Sequence, residues 1–142
     1  MPGGRPLKFK DEREFVGYLE INANKWVFDF FGEKVAKVEV NKSLIKRKFG
    51  ANTPRIDLII QTESGKRIGV ECKNPKQGFH ELSRAISQLL SYAVLSEENG
   101  KRFDILAIIS SEVNDIVYKV INRYNLPIRN FYVDREVHGE IK

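Results

Sequence analysis

Two acids and a lysine stand where strand geometry would bring them together. The run from Pro54 to Pro75, PRIDLIIQTESGKRIGVECKNP, contains two stretches with a period of two. Ile56, Leu58 and Ile60 alternate with Asp57, Ile59 and Gln61; Ile68, Val70 and Cys72 alternate with Gly69, Glu71 and Lys73. That alternation predicts two strands. The intervening Thr62-Glu63-Ser64-Gly65-Lys66 has turn chemistry, with Gly65 able to take a positive φ. A hairpin symmetric about Ser64 puts Leu58 opposite Val70, Ile60 opposite Ile68, and Asp57 opposite Glu71. The register that buries the hydrophobes therefore sets two carboxylates side by side.

Like charges facing each other across a strand pair destabilise it. At roughly 5 Å and an effective dielectric of about 20 the repulsion is on the order of 3 kcal/mol. A divalent cation would offset it, because Mg²⁺ takes a few carboxylates together with water and phosphate oxygens. Lys73, two residues after Glu71, points to the same side. The plain alternative is a solvated cluster of acids and lysine. Cys72 falls on the apolar side of the strand, which predicts a buried, inert thiol. With Cys72 the sole cysteine and only His80 and His138 beside it, neither a disulfide nor a Cys/His zinc site is available.

Asp57 followed by Glu71-Cys72-Lys73 at the end of an apolar strand resembles the active-site signature of the PD-(D/E)XK nuclease superfamily. The resemblance implies that Asp57 and Glu71 bind catalytic Mg²⁺, with Mn²⁺ able to substitute. It implies that the main-chain carbonyl of Cys72 is a further ligand, and that Lys73 positions or deprotonates the attacking water. The usual proline directly before the Asp is absent; Pro54 sits three residues upstream.

The elements that must position these groups can be read outward from the hairpin. Phe15, Val16, Leu19, Ala23, Trp26 and Val27 recur at helical spacing after Asp11, a candidate cap. Asn22-Ala23-Asn24 leaves open whether this is one helix or two. Glu12 falls one turn before Phe15-Val16, just off the buried stripe, where it could lean toward the sheet. Glu12-Arg13-Glu14-Phe15 is similar to a run on the first helix of archaeal Holliday junction resolvases. That likeness implies Glu12 as an additional metal-site acid, with Glu20 behind it; an exposed helix carboxylate is the alternative. Arg13 could reach a phosphate or stand in solvent.

Lys34 to Val40 predicts a first strand. The following NKSLIKRKFGANTPR holds Lys42, Lys46, Arg47, Lys48 and Arg55, the densest basic stretch in the chain. Such residues grip phosphate with an affinity that falls steeply with salt. After Asn74-Pro75 a helix is predicted over His80–Leu95, its stripe Leu82, Ala85, Ile86, Leu89, Leu90, Ala93 and Val94. Arg84, Gln88 and Tyr92 rise at intervals of four beside that stripe. Gln88 to Tyr92 resembles the QxxxY motif of RecB-like and type I restriction nuclease domains, and Glu71 to Pro75 resembles the run that precedes it there. The likeness implies that Gln88 orients the water or the lysine and that Tyr92 contacts the DNA backbone; Arg84 is a further candidate contact.

A buried strand over Ile105–Ile109, a helix over Asn114–Asn125 and a strand over Ile128–Val133 complete the chain, with a charged tail from Asp134. At 142 residues this predicts a flexible basic arm over 1–10 and a single domain over 11–142. The expected fold is α/β, a mixed central sheet flanked by helices with an αβββαβ core, as in the restriction-endonuclease-like fold. No apolar run approaches the roughly 20 residues of a membrane span, and the start lacks a secretory h-region, so a soluble, intracellular and cytoplasmic protein is expected. The formal net charge of +5 favours a polyanionic partner, here DNA. No GxxxxGK[ST] loop supports NTP hydrolysis. The expectation is a Mg²⁺-dependent nuclease acting on DNA. Its alternatives are a junction resolvase and a non-catalytic DNA-binding module of the same fold. A homodimer would suit a junction or a duplex cut on both strands, though the sequence names no interface.

Overall fold

The hairpin forms as its hydrophobes dictate. In the computed structural model, which describes residues 9–43, 55–74, 79–112, 115–134 and 138–141, β2 (Arg55–Thr62) pairs antiparallel with β3 (Arg67–Lys73). Leu58 faces Val70 and Ile60 faces Ile68. Gly65 takes φ +92° in the turn. The Thr62 N–H donates to the Lys66 carbonyl at 2.9 Å, and the Lys66 N–H returns to Thr62 Oγ1 at 2.9 Å. Glu33 braces the loop from outside, accepting from Ser64 Oγ at 2.6 Å and pairing with Lys66 Nζ at 3.0 Å.

Around this pair the sheet extends in both directions. β1 (Val35–Ser43) lies antiparallel outside β2. β4 (Ile105–Ser110) and β5 (Arg129–Val133) follow parallel to β3, and β6 (His138–Glu140) closes the far edge antiparallel to β5. The order is β1-β2-β3-β4-β5-β6. With α1 (Glu12–Ile21), α2 (Ala23–Phe31), α3 (Phe79–Glu98) and α4 (Asp115–Arg123) the chain is an α/β domain with a mixed six-stranded sheet flanked by helices. The αβββαβ succession is present in α1, β1, β2, β3, α3 and β4.

Each sheet face has its own core. Phe15, Leu19, Trp26 and Val27 of α1 and α2 bury against Leu58, Ile60, Val70, Cys72, Ile109 and Phe131. Ala85, Ile86, Leu89 and Val117 of α3 and α4 bury against Ile56, Ile59, Phe103 and Ile108. Burial of each large side chain contributes roughly 1.5–3 kcal/mol. Asp11 caps α1, its carboxylate accepting the Glu14 N–H at 2.9 Å. Asn22 ends α1 and starts α2, so the first helical stretch is two helices sharing one buried stripe. Among the described residues no helix is long and apolar enough to cross a membrane.

Three expectations need correction. Phe9, assigned to the flexible arm, is a core residue at 1% exposure, its ring 4.9 Å from Phe15 and 5.1 Å from Tyr18. The tail from Asp134 contains a strand, β6, held by the bidentate contact of Arg129 with Glu140 at 2.9 and 3.0 Å. Ile56 does not share a face with Leu58 and Ile60; it packs with Ile59 in the second core. Gly69 explains the switch: a Cβ there would lie 2.9 Å from Ile56 Cδ1 and 3.1 Å from the Phe103 ring. The bare strand position is the space Ile56 occupies.

Gly69→Ala is therefore expected to lower stability in urea unfolding by about 1–3 kcal/mol. Ile56→Val, which deletes the crowding Cδ1, should recover part of that loss in the double variant. An alanine variant as stable as the parent would mean Ile56 does not use this space.

Candidate active site

Beyond the Leu58–Val70 pair, the acids replace the strand ladder. The Cys72 N–H donates to Asp57 Oδ2 at 2.8 Å, and the Asp57 N–H donates to Glu71 Oε1 at 3.4 Å. Each strand's carboxylate thus accepts a backbone N–H of the other. The expected juxtaposition of Asp57 and Glu71 is present, as an interlock rather than as two side chains projecting in parallel.

Asp57 is half-buried, and its partners are buried. Glu71 is 4% exposed and Lys73 6%. Loss of water, then the neighbouring Asp57 charge, pushes the Glu71 carboxyl up from 4.5 to about 9. Burial also raises Asp57, opposed by the Cys72 hydrogen bond and by the Lys73 charge. The contact with Glu71 favours an ionised Asp57, and the contact with Asp57 favours a protonated Glu71. The Cys72 thiol, fully buried, is held well above its ordinary value by burial and then by the acids, so it is no nucleophile.

Lys73 enters from the end of β3, its Nζ 3.9 Å from Glu12 Oε1 on α1. The strand end is pinned beside it. The Ser111 N–H donates to the Lys73 carbonyl at 3.0 Å. Asn74 accepts from Ser111 Oγ at 3.2 Å and donates to the Phe9 carbonyl at 3.5 Å. Asn74 therefore ties the lysine's strand to the segment that leads into α1. The sequence reading missed the roles of Asn74, Ser111 and Phe9. The buried Asn directly after Lys73 was the available signal, but its partners are 37 and 65 residues away.

The other candidates spread around this corner. Tyr92 reaches it from α3: its phenol is raised by partial burial, then by Glu71 and Asp57. Gln88 is half-buried one turn earlier and, among the described residues, makes no hydrogen bond to the acids or the lysine. Arg84 is exposed on the same helix. Glu12, Arg13 and Glu20 line a cavity of about 550 Å³ with Val16, Gly17, Val40, Asn41 and Asp57. Arg55 is exposed and donates to the Asn41 carbonyl at 3.0 Å. The Lys42 side chain and Lys46, Arg47 and Lys48 lie outside the described residues.

Could these groups hold a metal? Among the described residues no three His, Cys, Asp or Glu side chains form a ready cage. Asp57 and Glu71 are a pair, with Glu12 set against Lys73. Two hard carboxylates suit Mg²⁺, which needs one or two of them and keeps several waters. A carboxyl forced to retain a proton beside another carboxylate is also the group whose charge a cation would compensate. The pair fits the ion.

No protein-family model matches the sequence, and no curated protein matches it. Two solved structures are similar over most of the chain. The EndoMS complex with double-stranded DNA is 14% identical, with a TM-score of 0.48 over 92% of this chain and 48% of that one. A repair endonuclease from Pyrococcus abyssi is 16% identical, with a TM-score of 0.46 over 89% of this chain and 49% of that one. The chain thus spans about half the length of either.

The Glu71 shift fixes the sign of a pH dependence. Its folded pKa lies above its unfolded value, so the metal-free fold holds a proton that the unfolded chain releases. The associated stability is complete below about pH 4.5 and is lost as pH rises toward 9. Glu71→Gln keeps the shape and cannot ionise. Its urea unfolding in EDTA should match the parent near pH 4.5 and exceed it by a few kcal/mol, ~1–4, at pH 8. Parallel pH curves for the two proteins would contradict the buried, proton-holding carboxyl.

Proposed function

We propose that the chain is a metal-dependent deoxyribonuclease that hydrolyses phosphodiester bonds by the PD-(D/E)XK route. The observation that carries this reading is the buried corner in which Asp57, Glu71 and Lys73 meet at the open end of the β2–β3 ladder. Structural carboxylates have no reason to be desolvated in a repelling pair, whereas a cation-binding pair does.

In this reading Asp57 and Glu71 supply the oxygen donors, with the main-chain carbonyl of Cys72 available at the same strand end and Glu12 nearby. Mg²⁺, or Mn²⁺ in its place, would polarise the phosphate and make water acidic enough to attack near neutral pH. Lys73 holds an ammonium beside that water and beside the charge that develops on the phosphate oxygens. The water oxygen forms the new P–O bond, the P–O bond to the sugar breaks, and the departing oxygen takes a proton. Glu12, across from Lys73 Nζ, keeps the ammonium on the α1 side of the corner. Gln88 orients the water or the lysine from α3, and Tyr92 gives its hydroxyl to the DNA backbone. Arg13, Arg55 and Arg84, with Lys42, Lys46, Arg47 and Lys48, grip phosphates and need not read bases.

Incubation of the protein with linear duplex, single-stranded and four-way-junction DNA, with and without Mg²⁺ or Mn²⁺, tests this. Cleavage is expected only with metal, and Lys73→Ala should reduce its rate by about 10²–10³-fold while DNA binding persists. Selective cutting of the junction would specify a resolvase. No cleavage of any substrate, or a Lys73→Ala variant as active as the parent, would overturn the assignment.

A further inference from the structure

Lys73 closes β3, where the ladder holds the strand from one side. Pairing with β2 runs only to Leu58 and Val70, whereas pairing with β4 continues through Lys73 and Ser110. The Ser111 N–H then donates to the Lys73 carbonyl at 3.0 Å. A lysine carries its charge on a flexible four-carbon stem, so a backbone fixed from one side leaves the ammonium a wide reach. The 3.9 Å contact with Glu12 Oε1 lies near the outer limit of an ion pair and narrows that reach little.

The next residue adds a second constraint. Asn74 is 5% exposed and Ser111 4%. Asn74 Oδ1 accepts from Ser111 Oγ at 3.2 Å, and Asn74 Nδ2 donates to the Phe9 carbonyl at 3.5 Å. A buried amide and hydroxyl cost free energy unless their hydrogen bonds are made. Here they are made, and to different elements: one at the end of β4, the other just ahead of α1. The Phe9 ring packs 4.9 Å from Phe15 and 5.1 Å from Tyr18, so its carbonyl is carried with α1. Consecutive residues at the strand end thus reach the same segment, Lys73 to Glu12 and Asn74 to Phe9. The amide is the short, planar link with fixed directions, and the ammonium is the long, flexible one.

We infer that Asn74, backed by Ser111, is a positioning residue for Lys73. Its amide sets the separation between the end of β3 and the start of α1, and so where the ammonium stands beside Glu12. This rests on the nuclease reading, in which Lys73 faces the attacking water. Neither Asn74 nor Ser111 has to touch DNA or metal for it. A misplacement of about 1 Å at a reacting group can slow a reaction by up to about a hundredfold. It acts on the chemical step rather than on binding of the substrate.

A double-mutant cycle on cleavage of duplex DNA tests this. Asn74→Ala should lower kcat by about tenfold or more, with KM for DNA and uptake of Mn²⁺ each within about twofold of the parent. In a Lys73→Ala background the same substitution should cost nothing further, because the group it positions is gone. An Asn74→Ala variant with the parent's kcat, or one that loses the same factor with and without Lys73, would overturn the positioning role and leave the nuclease reading standing. A parent that cuts no DNA with Mg²⁺ or Mn²⁺ would overturn both. Should Asn74→Ala fail to fold, Ser111→Ala decides by the same cycle, since it removes one hydroxyl and leaves the backbone contact to Lys73 in place.

Discussion

The reciprocal contact of Asp57 and Glu71 governs this structure's chemistry. A hairpin whose ladder ran to its end would satisfy the Cys72 and Asp57 N–H groups with carbonyls. Here they are satisfied by carboxylate oxygens, and the cost is one buried and one half-buried acid at one point. Desolvation and mutual repulsion act in the same direction on Glu71, which keeps its proton to about pH 9. On the nuclease reading, the corner exchanges that proton for a cation.

The layers are built to hold the corner from both faces. On one side Phe9 and Phe15 fix the start of α1, and Asn74 ties that start to the strand bearing Lys73. On the other, α3 buries Ala85, Ile86 and Leu89 against Ile56 and Ile59 and brings Tyr92 within reach of the acids' field. Gly69 links the two arrangements. By leaving room for Ile56 it lets β2 turn its side chains across the sheet immediately before Asp57, at the place where the ladder with β3 stops. Lys73 and Glu12 then form an ion pair across the α1 face, long at 3.9 Å.

Local pattern made much of this legible. The turn at Gly65, the register of Leu58 with Val70, the capping of α1 by Asp11 and the buried state of Cys72 all follow from neighbours close in sequence or from alternation. Ile56 was misplaced because alternation assumes a regular strand, and its position is decided by a missing side chain on the next one. Phe9 was hidden among glycines, prolines and basic residues, where no periodicity marks a core position. β6 has three residues and no pattern of its own; the Arg129–Glu140 contact and backbone pairing make it. Asn74 and Ser111 matter through partners far along the chain, which spacing cannot reveal.

Calorimetric titration of the protein with Mn²⁺ at pH 7.5, repeated in buffers of different ionisation enthalpy, tests the corner most directly. One site should fill with release of about one proton per ion, and Asp57→Asn should lose the uptake. Mn²⁺ that is not taken up even with DNA present, or that binds without releasing a proton, would contradict a buried carboxyl pair holding the place of a cation.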